Sequence, residues 1–499
     1  MEPPTRQETA DPMPVRALTL ELTKGCNLRC AYCYYADRED AYEPSTRMSN
    51  EVAEQSVDLL LEQCLPGQPA HLHFFGGEPL LHVDLLHHTV AYAERRGAEL
   101  GRSFTYEITT NGTRFTPEVV EFLNQHEVHV GVSFDGPPEV QDKARPSRGG
   151  GSSALAEPGI RRLIESRKGT PLEAKTHCSV VVTRAEPDLV RIVDYLEGLG
   201  FHKVLLTPAT DLEGRNNGFR PEDLPELLKQ YDRLAEDYEK RVSEGREPVA
   251  RYFELLMSRL LSGEKKTQFC GGGRDYLGVE ADGSLSLCYR FYEDEEFSMG
   301  SVQEGVDRNV TERLAEHELD SRTACGQCWA RYFCGGGCHH DNLVRGGGLG
   351  DPDPVTCDVL RHGMGRTLEM WARLHKEGRV PDLPATSASP ESAFTGTETE
   401  QEEMSTAAPQ FSGTDRPLRA ATCHVRDLAG EKVVYHPESH DVVVLNPSAS
   451  FIFEHCDGEH SVEELLEAMA DRYDADRELL RRDLLSTLGM LRERSLLET

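Results

Sequence analysis

Between residues 16 and 208, short β-rich runs alternate with longer stretches in which apolar side chains recur every three or four positions. The first pattern predicts strands, over 16–22, 71–75, 104–109, 129–134, 176–182 and 203–207. The second predicts helices in the gaps. One covers 51–63, with Val52, Val57, Leu59, Leu60 and Leu61 as its apolar positions; another covers 187–199 and stops before Gly200 as a C-cap. Alternating β and α of this kind is the pattern of a parallel sheet, and six units predict an α/β fold, a partial (β/α)6 barrel.

Beyond the barrel the pattern changes three times. Residues 221–261 read as two further helices, the second (251–261) strongly apolar on one side. From 270 to 357 there is little periodicity but many Gly and seven Cys, so metal sites rather than a conventional apolar core are expected to organise this stretch. From 381 to 417 the chain is Ser-, Thr-, Pro-, Glu- and Gln-rich and predicts a flexible linker. A last unit then opens with β-like runs at 422–426, 432–435 and 442–445. It closes with three helical patterns: one starting at Asn446-Pro447, one opened by a Ser461 and Glu464 capping box, and one over 477–491. The expected organisation is a disordered 1–14, a TIM-like barrel over 15–245, a bridging helix and Cys-rich extension over 246–380, the linker over 381–417, and a small α+β, winged-helix-like domain over 418–499.

Composition narrows the function classes. A formal charge of -32 over 499 residues argues against nucleic acid and anionic membranes as partners, because their phosphates would repel the chain. No apolar run approaches the length of a membrane span, and the polar, Pro-rich N-terminus is unlike a signal peptide, which together predict a cytoplasmic protein. In that reducing compartment, 14 cysteines point to metal thiolates rather than disulfides.

The candidate chemistry sits at the ends of the predicted strands, where loops of a parallel α/β fold converge on ligands. After the first strand, Cys26, Cys30 and Cys33 place three thiols on one loop. A compact triad either borrows a distant fourth ligand for an iron–sulfur cluster or leaves one iron open for chemistry; a zinc site or three unlinked core thiols are the alternatives. After the second strand come Gly76, Gly77, Glu78 and Pro79, glycines that let a ligand approach the backbone beside a carboxylate suited to an ammonium group. Thr110-Asn111-Gly112 follows the third strand. After the fourth, Ser133 and Asp135 offer a hydroxyl and a carboxylate to a ribose or an amino-acid tail. Taken singly, either acidic motif is equally a turn with a solvated acid.

The spacing of the triad, with Tyr32 before its third Cys, resembles the signature of radical S-adenosylmethionine (radical SAM) enzymes. That resemblance implies a 4Fe–4S cluster on Cys26, Cys30 and Cys33, with S-adenosylmethionine chelating its open iron. Glu78 would hold the methionine amino group, and Ser133 would lie near the ribose and carboxylate; Arg145 is either a partner of that carboxylate or a surface residue. It further implies that one electron cleaves the S–C5′ bond and that a 5′-deoxyadenosyl radical takes a hydrogen atom from the substrate. A reducing partner such as flavodoxin or ferredoxin goes with this chemistry.

Cys270, then Gly283-x4-Cys288, then Cys325, Cys328, Cys334, Cys338 and Cys357 resemble the SPASM extension of the same enzymes, which carries two auxiliary 4Fe–4S clusters and makes three in all. By motif position, Cys270, Cys288 and Cys338 would hold the first, and Cys325, Cys328, Cys334 and Cys357 the second. Where some relatives add a fourth Cys to the first cluster, this chain has 271–276 without one. An open iron able to bind a substrate thiolate is the preferred expectation, with Asp275 or Cys178 as alternative ligands. A zinc ribbon on Cys325, Cys328, Cys334 and Cys338 is the other reading. His339 and His340 are expected at the surface.

Two clues bear on the substrate. Anaerobic sulfatase maturases place an Asp directly after the Gly-x4-Cys cysteine, whereas Tyr289 follows Cys288 here. The last unit resembles the peptide chaperone of pyrroloquinoline quinone biosynthesis, whose related domains bind leader peptides. Val442 to Leu445 would then add a leader strand, with Leu479, Leu480 and Leu484 lining its groove. These clues lead to a peptide maturase that installs a thioether or other side-chain crosslink in a ribosomally synthesised precursor peptide. A formylglycine-forming sulfatase-type maturase and a non-catalytic peptide-binding protein with structural clusters are the alternatives. No catalytic acid or base is identifiable.

Overall fold

The computed structural model describes all residues except 1–13, 36–46, 66, 213–216, 263–264, 380–410, 421–422, 429–430, 436–441, 446, 474–476, 495 and 499. Nearly all of the expected disordered N-terminus and most of the expected linker lie outside the described residues. The chain divides into two compact units, the first built mainly from residues before 367 and the second mainly from residues after it.

In the first unit six parallel strands pair in sequence order: β1 (Ala17–Thr23), β2 (Ala70–Gly76), β3 (Phe104–Thr110), β4 (His129–Ser133), β5 (Thr176–Val182) and β6 (Val204–Pro208). Helices lie between them where the periodicity places them. Asn50–Gln63 is N-capped by the Ser49 hydroxyl, and Leu189–Leu199 stops at Gly200, whose φ of 107° glycine adopts without a steric penalty. Strand alternation separates two faces. Leu18, Leu20, Leu22, Leu72 and Phe74 are all fully buried on one.

The other face is polar. The His73 ring lies between the Thr19 and Thr109 hydroxyls at 3.1 and 2.9 Å, and His71 Nε2 stands 3.5 Å from Glu107. Burial lowers His73 and His129 to about 4. Burial alone would raise Glu107, yet the neighbouring His73 and His71 bring it down to about 2.

The sheet continues past β1 on its other side. There β7 (Tyr276–Val279) pairs parallel to β1, and β8 (Ser284–Ser286), β9 (Ser298–Ser301) and β10 (Gly305–Val306) follow antiparallel. This corrects the expectation that the Cys-rich stretch lacks an apolar core, because Leu277, Val279, Leu285, Phe291, Phe297 and Met299 are buried there. Strands of two to four residues are too short to display an alternation, so periodicity misses them.

The second unit holds β11 (His424–Leu428), β12 (Glu431–Tyr435) and β13 (Val442–Leu445) in an antiparallel sheet of that order, which leaves β13 at an edge among the described residues. Helices Pro447–Glu454, Val462–Arg472 and Arg477–Glu493 follow. The capping box forms as its residues predict: the Glu464 amide donates to Ser461 Oγ at 3.3 Å, and the Ser461 amide to Glu464 Oε2 at 2.7 Å. Leu445, Leu480 and Leu484 are packed into this unit's own core, which corrects the reading of these three as a peptide groove. An apolar helix face in so small a unit is needed for folding itself. Among the described residues, no helix is long and apolar enough to cross a membrane.

Candidate active site

β1 delivers the chain to the first cysteine loop, and the loop after β2 lies directly on it. The Gly77 amide donates to Thr23 O at 2.7 Å, and the Glu78 amide to Gly25 O at 2.9 Å. A Cβ on Gly76 would meet Thr23 O at 2.3 Å, and one on Gly77 would meet Gly25 O at 2.2 Å. The close approach these glycines allow is therefore to the cysteine loop's backbone, a different partner from the ligand expected. Pro79 opens a short 3-10 turn, Pro79–His82, that Glu78 caps.

The Glu78 carboxylate is fully buried and held from several sides. Oε1 accepts from the Leu80 amide at 3.0 Å and from Thr110 Oγ1 at 2.7 Å, and Oε2 accepts from the Asn111 amide at 2.7 Å. A carboxylate has about four acceptor positions, so these three donors fix its orientation and leave capacity for one more. Burial raises its pKa while the donors oppose the rise. Asn111 also reaches the cysteine loop, its Nδ2 lying 2.9 Å from Asn27 Oδ1 and 3.9 Å from Cys26 Sγ.

Cys26, Cys30 and Cys33 are close enough to interact electrostatically, and burial pushes the Cys30 thiol up to about 12. Three neighbouring thiolates repel one another, so the group as a set of ligands needs a metal's positive charge. That donor chemistry fits an iron–sulfur cluster.

Asp135 ties three segments of the site together. Its carboxylate accepts from the Val181 amide at 3.0 Å, from Arg145 Nε at 2.9 Å and from the Tyr32 hydroxyl. Arg145 is buried, which removes the surface reading; its Nη1 lies 3.8 Å from Cys30 Sγ and its guanidinium 5.2 Å from the Tyr32 ring centre. Ser133 ends β4, half-buried, beside this group.

The seven later cysteines fall into two groups. Cys270 and Cys338 are electrostatic neighbours of Cys288, while Cys325, Cys328 and Cys334 are neighbours of Cys357. This grouping separates Cys338 from Cys325, Cys328 and Cys334, the other three cysteines of the zinc-ribbon reading. Cys178, on β5, donates to Phe134 O at 3.2 Å and lies near Asp135 and Arg145. Asp275 is tied to Arg16 at 3.2 Å. His339 is buried, against expectation, and His340 packs edge-on to Phe291 at 5.4 Å, because the turn after Cys338 runs inward.

Several contacts at this site escaped the sequence reading. Tyr276 is a half-buried phenol whose electrostatic neighbours include Cys288, Tyr289 and Cys270. Arg290 Nη1 lies 3.5 Å from Cys338 Sγ, and its Nη2 lies 3.0 Å from Asp341 and 3.0 Å from Thr210 Oγ1. Tyr34, Phe75 and Tyr289 bring three motif loops together, with Phe75 and Tyr289 ring centres 4.6 Å apart and Tyr34 and Tyr289 at 6.0 Å. Nearness to a motif cysteine in sequence was the one available signal. A cavity of about 430 Å³ opens instead at the N-terminal ends of β3 and β4, lined by Arg102, Thr105, His129 and Lys175 among others, and contains none of the expected site residues.

Comparison with known proteins agrees with this geometry. The radical SAM superfamily matches residues 20–170, and the family of coenzyme PQQ synthesis protein D (PqqD) matches residues 431–497. The serine-type anaerobic sulfatase-maturating enzyme of Bacteroides thetaiotaomicron is 35% identical over 348 residues, covering 64% of this chain and 81% of that protein. The mycofactocin maturase MftC of Mycobacterium tuberculosis is 29% identical over 349 residues, covering 68% and 81%. The solved structure of anSMEcpe with bound AdoMet shares the fold, with a TM-score of 0.61 at 21% identity, covering 74% of this chain and 97% of that one. The chain belongs to the radical SAM superfamily and is a radical SAM enzyme with a PqqD-type region at its C-terminal end.

Proposed function

We propose that this enzyme modifies a ribosomally made precursor peptide, joining side chains through a thioether or another crosslink, and that the PqqD-type unit captures the peptide's leader. The observation that carries this reading is the pairing, in one chain, of a radical SAM match with a PqqD match that spans an edge strand. A leader can pair its main chain with β13 without displacing any described strand, and main-chain pairing supplies affinity while side-chain pockets supply choice. Tyr289 in place of an Asp after Cys288 supports a crosslink over formylglycine formation.

S-adenosylmethionine and a 4Fe–4S cluster go with the family, and two auxiliary clusters are proposed on the Cys270, Cys288, Cys338 group and the Cys325, Cys328, Cys334, Cys357 group. When bound, the cluster supplies the electron that breaks the cofactor's S–C5′ bond and so starts hydrogen-atom abstraction from the substrate. The chain's own work is placement. Glu78, locked by three donors, would present its remaining acceptor to the cofactor's ammonium group, and Ser133 would stand near the ribose and carboxylate. Tyr34, Phe75 and Tyr289 would shield the reacting side chain from water. A flavodoxin- or ferredoxin-like reductant and a cytoplasmic setting complete the proposal.

A second reading, formylglycine formation on a sulfatase, has the similarity to the sulfatase-maturating enzyme behind it. One experiment separates the two. The anaerobically reconstituted enzyme is given precursor peptides encoded beside it, with and without their leaders, and also a sulfatase-motif peptide. Leader-dependent crosslinking seen by tandem mass spectrometry is the expected result. An aldehyde on the sulfatase peptide, with the precursors untouched, overturns the proposal.

A further inference from the structure

Two arginines, Arg145 buried and Arg290 half-buried, occupy equivalent positions at two of the three cysteine groups, on opposite sides of the sheet's first strand. Arg145 lies against Cys30 and Arg290 against Cys338, each with one guanidinium nitrogen within hydrogen-bonding distance of sulfur, at 3.8 and 3.5 Å. Each is held by an aspartate, Arg145 by Asp135 at 2.9 Å and Arg290 by Asp341 at 3.0 Å. Each aspartate is itself anchored elsewhere, Asp135 by the Val181 amide and Asp341 by Thr210 Oγ1 at 2.7 Å. A guanidinium does not lose its proton in proteins, so both groups carry a full positive charge.

Burying such a pair costs more desolvation than its attraction reliably returns, so stability is a weak reason for either one. A cation and an N–H donor at a cluster sulfur have a direct effect of their own. Net charge and hydrogen bonds to sulfur are among the levers on a cluster's reduction potential, because both stabilise the added electron.

We propose that Arg145 and Arg290 are positioning residues that set the reduction potentials of the clusters beside them, the first at the Cys26, Cys30, Cys33 group and the second at the Cys270, Cys288, Cys338 group, with Asp135 and Asp341 limiting how far each potential is raised. The inference rests on the cluster reading above. The step concerned is the entry of one electron from a mediator into the cluster; no bond at the arginine forms or breaks, and it keeps its proton. Removing the arginine's charge disfavours the reduced state. Removing the aspartate's charge leaves the cation uncompensated and favours it.

The test is a redox titration, followed by electron paramagnetic resonance, on the full-length reconstituted protein without S-adenosylmethionine. Arg290→Gln should move one auxiliary potential in the negative direction by about tenfold in the reduction equilibrium, or ~59 mV for one electron. Asp341→Asn should move the same potential in the positive direction, and Arg290→Lys should recover part of the Gln shift. Arg145→Gln should act on the radical-site cluster alone. A purely structural role predicts no such reversal of sign. Full iron content with unmoved potentials, or shifts of one sign in both Arg290→Gln and Asp341→Asn, overturns the inference alone. Should Arg290→Gln lose its iron, the sign of the Asp341→Asn shift decides. Wild-type protein without labile sulfide or a cluster signal overturns the cluster reading and this inference together.

Discussion

The loops at the C-terminal ends of β1 to β4 and the PqqD-type unit solve opposite problems. At the strand ends two carboxylates are committed to fixed donors: Glu78 to Leu80, Thr110 and Asn111, Asp135 to Val181, Arg145 and Tyr32. The small unit instead buries its apolar side chains in a core of its own and keeps β13 at an edge. Reactive chemistry needs donors fixed before the cofactor arrives, since a radical attacks whatever lies within contact distance. Peptide recognition needs a stable platform with unpaired backbone, because strand addition makes its bonds to main chain and tolerates many sequences.

If the two regions work separately, damage to one should spare the other. The largest effect is expected from Cys30→Ala, which should abolish 5′-deoxyadenosine formation and lower the iron content by about four per chain, by iron analysis, while leader affinity by calorimetry stays unchanged. Equal loss of leader binding would break the comparison.

Glu78→Ala leaves two amides and a hydroxyl without their buried acceptor. Each donor left dry should cost about 1–3 kcal/mol in denaturant unfolding, and S-adenosylmethionine binding should weaken with it. Leu484→Ala reverses the direction of the test. Truncating this fully buried side chain should cost about 2–5 kcal/mol and weaken leader binding, with iron content and basal cleavage of S-adenosylmethionine unaffected.

The smallest effect concerns the polar face of the barrel sheet. His73 and His129 have folded pKa values near 4, below the ordinary 6.5, so the unfolded chain binds more protons between those values and stability rises with pH across that window. Urea unfolding of the cluster-free protein should therefore show lower stability at pH 5 than at pH 7. His73→Gln should flatten the difference, and an unchanged slope would remove His73 from the account.

Legibility in the sequence followed element length and the reach of each contact. Strands β1 to β6 were readable because five to seven residues suffice to show a pattern, and β7 to β10 were not because two to four residues do not. The Ser461 and Glu464 capping box was readable because its partners lie three residues apart. The Asp135 motif was readable, but not its contacts, since Arg145, Tyr32 and Val181 reach it from three different segments. Leu480 and Leu484 were recognised as apolar, yet only packing shows that they face the unit's own core.

Local order along the chain thus dictates the parallel barrel, the identity of the ten motif cysteines and the presence of an acid after the second strand, because spacing, turn chemistry and side-chain type are properties of neighbouring residues. The arginine that meets each sulfur, the backbone that Gly76 and Gly77 approach, and the edge left open are settled by segments 30 to 260 residues apart coming together. No periodicity encodes such meetings, since they depend on how the assembled sheet brings its strand ends side by side.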